Sequence, residues 1–297
     1  MSLRLEMLQV ARVAPTVLGE VSDLVREFLL SQQNPDGGFK DRGGKSDLYY
    51  TVFGLDALAV FQAEPDLDAV EKFLQTFADG DGLDLVHLSC LTRCWGSLGT
   101  DRMPKGLRAQ LLQRLESFRK QCGGWDNNLK RDHGTAYGSF LALGAYQDMG
   151  KLPPKPLRIL QSLKKLETPD HAWNNHPNLP VGSTNPTAGA VVLLNNLHLP
   201  INAEVGQWLR DRLHPQGGFV AVPGAPMPDL LSTATTLHAL AALDVWLTED
   251  ETDRCLDFVD SLWNATGGFH GHWSDDYLDC EYTFYGLLAL GHLSLNG

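Results

Sequence analysis

Three groups of residues carry chemistry by their types and spacing. The first is the loop that runs from Gly37 and Gly38 to Asp47, where Arg42 and Lys45 stand just before an acid and a long apolar run. A planar guanidinium, a compact ammonium and the free N–H groups of a helix start together suit an anion such as a diphosphate. A magnesium ion arriving with that diphosphate would bridge to Asp47. The same cations can instead pair with Asp36, Asp41 or Asp47. The second group is His87, Cys90 and Cys94, one face of a helix and suitable zinc ligands by type. Their span of two turns, roughly 10 Å, is too long for one ion without a ligand from elsewhere. The third is Asp275-Asp276-x-x-Asp279. Carboxylates so spaced chelate magnesium on a continuous helix, but this run lies in a loop that reaches only the first residue of one.

These groups sit in a chain of 297 residues, 43% hydrophobic and 20% charged, with a formal net charge of -12. Its apolar content supports a large core in a single unit spanning 1–297. The acidic balance disfavours nucleic acid and anionic membrane surfaces. Five irregularly spaced cysteines do not read as a disulfide framework. The first fifteen residues mix Arg and Glu into their apolar positions, unlike a signal peptide. No apolar run approaches the length of a membrane span. The expectation is a soluble, cytoplasmic protein.

The loop that bears Arg42 recurs. Gly-Gly-aromatic stands at 37–39, 123–125, 217–219 and 267–269, each followed by a polar loop, an acid and an Ala/Leu-rich run. The acids are Asp47, Asp132, Asp229 and Asp279. Two weaker copies begin at His87 and Ser183, so six units start near 47, 87, 132, 183, 229 and 279. Between them lie amphipathic patterns such as DAVEKFLQTF, with apolar residues at three- and four-residue spacing. Each unit thus reads as outer helix, Gly turn, polar loop and inner helix. The inner segments are apolar nearly all round, which favours closure of six hairpins into an all-α (α/α)6 barrel. The acids would cap the inner helices and place the loops on one rim.

The segment SQQNPDGGFKDRGGKSDLYYTVFGLDALAVF resembles a repeat of the protein prenyltransferase β subunits, relatives of the triterpene cyclases, and all six units fit. The resemblance implies an apolar funnel for an isoprenoid tail, with its diphosphate at the rim, and a helical-repeat α-type partner subunit. It also implies a zinc site of Asp, Cys and His. Here Asp229 is kept, but Leu231 stands at the Cys position and Tyr282 at the His position, so zinc is not expected there. Asp229, Asp279 and Tyr282 are the candidate catalytic groups left at those positions. Arg42 and Lys45 match the family's cationic loop, but in the first unit rather than the fifth.

The expected function is a prenyltransferase β-like protein that binds an isoprenoid diphosphate or another apolar small molecule and transfers the prenyl group. A terpenoid cyclase or lyase on the same barrel, and a non-catalytic binding module, stand beside it. A cyclase needs a general acid in an apolar cavity, its pKa raised by burial. No motif marks one out, and Glu281 is the only acid just inside an inner helix. Tyr49, Tyr50, Phe53, Tyr137, Tyr282 and Tyr285 are the aromatic candidates for the funnel. Trp125 and Trp173, at matched positions, and His133 are candidates for the rim.

Overall fold

The computed structural model describes residues 1–99 and 101–295. Two short helices, α1 (Leu3–Ala11) and α2 (Ala14–Leu18), lead into six hairpins. Outer α3 (Ser22–Ser31) precedes inner α4 (Leu48–Val60). Then α5 (Leu67–Gln75) precedes α6 (Leu85–Leu98), and α7 (Leu107–Ser117) precedes α8 (Ala136–Asp148). The second half repeats the order: α9 (Arg158–Lys164) and α10 (Thr184–Asn196), α11 (Glu204–Arg210) and α12 (Leu230–Ala242), α13 (Glu249–Ser261) and α14 (Cys280–Leu295). This is the expected all-α toroid. Extended pairing is limited to two-residue strands in the first Gly loop and to isolated bridges, among the described residues.

The two rings differ as their sequences require. Inner α4 is buried from Thr51 through Leu58 and again at Val60. Outer α5 buries Val70, Phe73 and Leu74 and turns Asp68 and Lys72 to solvent. A repeated joint ties each Gly turn to its inner helix. The backbone N–H of the turn's aromatic residue donates to a hydroxyl one turn into that helix: Phe39 to Thr51, Trp125 to Ser139, Trp173 to Thr187, Phe219 to Thr233 and Phe269 to Thr283. Each hydroxyl donates back to the carbonyl four residues earlier, at 2.6–2.8 Å.

Two expected helix starts are corrected, the first of them by this joint. In the third unit Ser139 points back to Thr135, whose hydroxyl accepts from the Gly138 N–H at 2.9 Å, so α8 is capped by Thr135 and not by Asp132. In the second unit, which lacks a Gly turn, Asp84 rather than His87 stands at the cap and accepts from the His87 N–H at 2.9 Å. The other acids do cap: Asp47 accepts from Tyr49 N–H, Asp229 from Ser232 N–H and Asp279 from Tyr282 N–H.

Closure rests on glycine. Gly37 has φ 97°, and a Cβ there would lie 2.0 Å from the Ala69 carbonyl oxygen of α5. Gly267, with φ 100°, seats the last turn in the same way on Leu24 of α3, the first outer helix. The far end of the inner ring, where the inner helices finish, is covered by α1. Leu3 N–H donates to Gln147 at 2.9 Å, Asn196 donates to Glu6 at 3.0 Å, and the Val10 carbonyl lies where a side chain on Gly291 would be. The opening segment thus forms a plug.

Candidate functional site at the mouth of the barrel

The inner helices begin around one rim, and the first and last units meet there. Arg42, on the loop before α4, donates through Nε to Asp279 Oδ2 at 2.9 Å and through Nη2 to Asp275 Oδ2 at 2.8 Å. Its guanidinium also lies over the rings of Tyr277 and Tyr282, 5.1 and 5.4 Å from their centroids. Both carboxylates are almost fully buried, with 2% of the Asp279 side chain and 6% of the Asp275 side chain exposed, while Arg42 keeps 34%. Burial works against the charge of Arg42, but Asp279 and Asp275 more than offset it and raise its pKa. Burial also lifts Asp279 above the usual carboxylate range, despite the Tyr282 N–H and Arg42. Arg42 therefore pairs across the closure of the ring and not with the acids of its own loop. Lys45 is exposed, and among the described residues its ammonium has no ion-pair partner.

One turn inward lies Glu281. Tyr49 donates its hydroxyl to Glu281 Oε1 at 2.6 Å, joining α4 to α14. Burial pushes the Glu281 carboxyl up to about 7, against the Tyr49 hydrogen bond and with Asp279 adding to the rise. Tyr49, Tyr50, Tyr137, Tyr282 and Tyr285 are all held above the ordinary phenol range, first by burial and further by the Glu281 charge. Those tyrosines come from α4, α8 and α14, so the carboxyl faces the axis of the barrel. Phe53 packs edge-on to Tyr49 at 5.0 Å and tilted to Tyr285 at 5.4 Å.

Below the mouth is a cavity of about 260 Å³. Tyr49, Tyr137 and Tyr285 border it, Leu231 and Val192 form wall, and Met7 of α1 is part of the floor. An engineered cavity of about 150 Å³ takes one benzene, so this one accommodates about ten carbons. Asn185 adds a polar point, accepting from Thr235 Oγ1 at 2.8 Å. Deeper still, His238 of α12 lines the cavity with its Nδ1 3.0 Å from Nε2 of His292 on α14.

The closed end carries a second charged cluster. Asp56 of α4 pairs with Arg4 of α1 at 2.6 Å and Arg93 of α6 at 3.1 Å, and Arg93 approaches Asp148 of α8 at 3.4 Å. Burial raises Asp148 to about 6 against the two arginines.

The structure separates the residues singled out from sequence. Arg42, Asp47, Tyr49 and Tyr50 do share the rim, in an open recess with His87. There His87 is held between Asp47, at 3.5 Å, and Asp84, at 2.8 Å, which raise it to about 9, with Asp47 the larger effect. Cys90 and Cys94 are buried, and burial pushes the Cys90 thiol up to about 12. Among the described residues no three His, Cys, Asp or Glu side chains converge as a metal-holding group. Asp229 caps α12 and also accepts from the Ser232 hydroxyl at 2.7 Å. Leu231 lines the cavity, whereas Tyr282 packs outside it under Arg42 and against Gly271.

Trp125 and Trp173 correct the expected rim. They occupy the aromatic position of the Gly-turn joint and are buried between the rings at 0% and 3% exposure, with the Trp125 indole donating to the Leu115 carbonyl at 3.0 Å. His133 is half-buried in its loop, its Nδ1 3.1 Å from the Gly134 carbonyl oxygen. Sequence reading missed Met7, His238 and His292. A histidine amid the apolar run of α12 was the available signal, but its partner lies 54 residues away.

The Prenyltransferase alpha-alpha toroid domain family matches residues 17–78 and 158–295, more than half of the chain, and the protein belongs to that family. Among solved structures, the toroid is similar to the type II terpene cyclase MstE from Scytonema without ligand. That match has a TM-score of 0.60 at 14% identity and covers 97% of each chain. A variant of that cyclase in complex with merosterolic acid A, its product, matches with the same score and identity over 98% of this chain and 97% of that one. Candida albicans protein geranylgeranyltransferase-I with bound GGPP matches at TM-score 0.44 and 15% identity, over 97% of this chain and 82% of that one. No curated protein matches the chain by sequence. No helix among the described residues is long and apolar enough to cross a membrane.

Proposed function

We propose that the protein is a protonation-initiated isoprenoid cyclase. The observation that carries this reading is Glu281, a half-buried carboxyl with its pKa near neutrality, braced by Tyr49, which borders an apolar, aromatic-lined cavity. A general acid must hold its proton at working pH and lose it to the substrate, which a pKa near 7 allows. Tyr49 occupies Oε1, leaving Oε2 for the proton. Transfer to a trisubstituted alkene forms a C–H bond from the π pair and leaves a tertiary cation. The next alkene of the folded chain attacks that cation and closes a ring. The rings of Tyr49, Tyr137 and Tyr285, which border the cavity, stabilise positive charge through their quadrupoles. The Glu281 carboxylate left behind keeps the Tyr49 hydrogen bond and the nearby charge of Arg42, and it regains a proton at the open mouth.

A diphosphate is a poorer fit to the rim. Arg42 already serves two buried carboxylates, and an anion arriving there would meet Asp41, Asp47, Asp275 and Asp279 together. The reading therefore favours a neutral linear isoprenoid. The experiment is incubation of the purified protein with geraniol and with farnesol, followed by gas chromatography and mass spectrometry. Cyclised isomers of the substrate are expected, and Glu281→Gln should abolish them. Unchanged products from that variant, or no cyclised product from wild type, overturn the reading.

A further inference from the structure

The cavity floor contains a polar device that the initiating chemistry does not use. His238 lines the cavity, its Nδ1 faces His292 Nε2 at 3.0 Å, and its Nε2 is shielded from solvent with no hydrogen-bond partner. Burying an imidazole nitrogen without a partner is costly. The neighbouring floor and wall, Met7, Val192 and Leu288, are apolar and offer nothing to satisfy it. The two rings come from different inner helices, α12 and α14, and only one N–H can lie between them. When His238 supplies that N–H, its Nε2 is left as a bare lone pair at the cavity.

On the cyclase reading above, we propose that His238 is the terminating base, with His292 as the residue that sets its tautomer. The cation produced by ring closure loses a proton from an adjacent carbon. That C–H bond breaks, its electron pair forms the new C=C bond, and the proton goes to His238 Nε2. The Nδ1–H to His292 bond spreads the positive charge over both rings. Glu281 has given one proton and His238 has taken one, so the product is an isomer of the substrate and no oxidant is needed. His238 gives up its proton when the product leaves and water enters.

The placement suits the two roles. Glu281 and His292 lie eleven residues apart on α14, about 16 Å along the axis. Donor and acceptor therefore sit at opposite ends of the cavity, and the ring-forming carbons lie between them. Burial lowers the pKa of His238 to about 4, so it enters the reaction neutral. A carbocation is a far stronger acid than an imidazolium of that pKa, and the transfer runs downhill.

Two measurements test this. Nitrogen-15 NMR of uniformly labelled wild-type protein, with the histidine side chains assigned by through-bond correlation to the backbone, should show His238 neutral at pH 7 with its proton on Nδ1. A proton on Nε2, or an imidazolium, overturns the proposal whether or not a substrate is turned over, and it decides the matter if either variant fails to fold. With geraniol as the probe, whose ten carbons match the cavity, His238→Gln should shift the ratio of cyclised isomer to water-captured cyclised product at least tenfold toward the water-captured product. His292→Gln should move that ratio the same way by less. An unchanged ratio overturns the base role alone and leaves Glu281 in place. Failure of wild type to cyclise any probe overturns both.

Discussion

The two ends of the barrel both hold buried charge but settle it differently. At the plugged end Arg4 and Arg93 face Asp56 and Asp148, two charges of each sign, drawn from α1, α4, α6 and α8. The cluster fastens a helix to the ring and its charges cancel. At the mouth, Asp279, Asp275 and Glu281 share one arginine, which is itself one-third exposed. The imbalance leaves Glu281 without a cation of its own, and it holds a proton instead. Burial raises a carboxyl at both ends, Asp148 to about 6 and Glu281 to about 7, but Asp148 has Arg93 at 3.4 Å to oppose the rise and Glu281 has only the Tyr49 hydroxyl in contact.

Breaking the mouth should show most in chemistry. Glu281→Gln keeps the shape and a hydrogen-bonding partner for Tyr49 but removes the acid, with an expected rate loss of about a hundred- to ten-thousand-fold. Wild-type turnover should fall as pH rises through about 7, where Glu281 ionises. The sign for stability follows. The folded pKa is raised above the ordinary 4.5, so the stability it contributes is full below that value and is lost as pH rises to about 7. Urea unfolding of wild type against Glu281→Gln between pH 4 and 8 checks this. A pH-independent difference between the two proteins would contradict it.

Breaking the plugged end should show in stability. Asp56→Ala leaves Arg4 and Arg93 with too little compensation, at an expected cost of about 3–5 kcal/mol read by chemical denaturation. A loss under about 1 kcal/mol would mean the cluster does not secure α1.

The contrast sharpens with Arg42→Ala. The charged hydrogen bonds to Asp275 and Asp279 are lost, but their exposed side discounts them, so about 1–2 kcal/mol is expected. Because Arg42 holds Glu281 down, the fall in turnover should move to higher pH in this variant. A shift to lower pH would refute the coupling. The smallest effect is expected for Lys45→Ala, within about 0.5 kcal/mol in the same denaturation assay.

The amino-acid sequence by itself determined the six units, the inner and outer rings and the rim. Those follow from local rules: helical periodicity, Gly at positive φ and capping at helix starts. It misplaced the third inner helix because an acid at 132 resembled the others, while the hydroxyl of Ser139, one turn in, is what ties the turn. Tertiary structure alone decided which rim groups meet. Arg42 and Asp279 are 237 residues apart, as distant as the chain order of a closed ring makes them, and neither side chain names the other. The same holds for Tyr49 with Glu281 and for His238 with His292. The first two pairs exist because the ring closes, the third because consecutive inner helices pack side by side, and burial there, rather than residue type, makes Glu281 an acid near neutrality and His238 a neutral base.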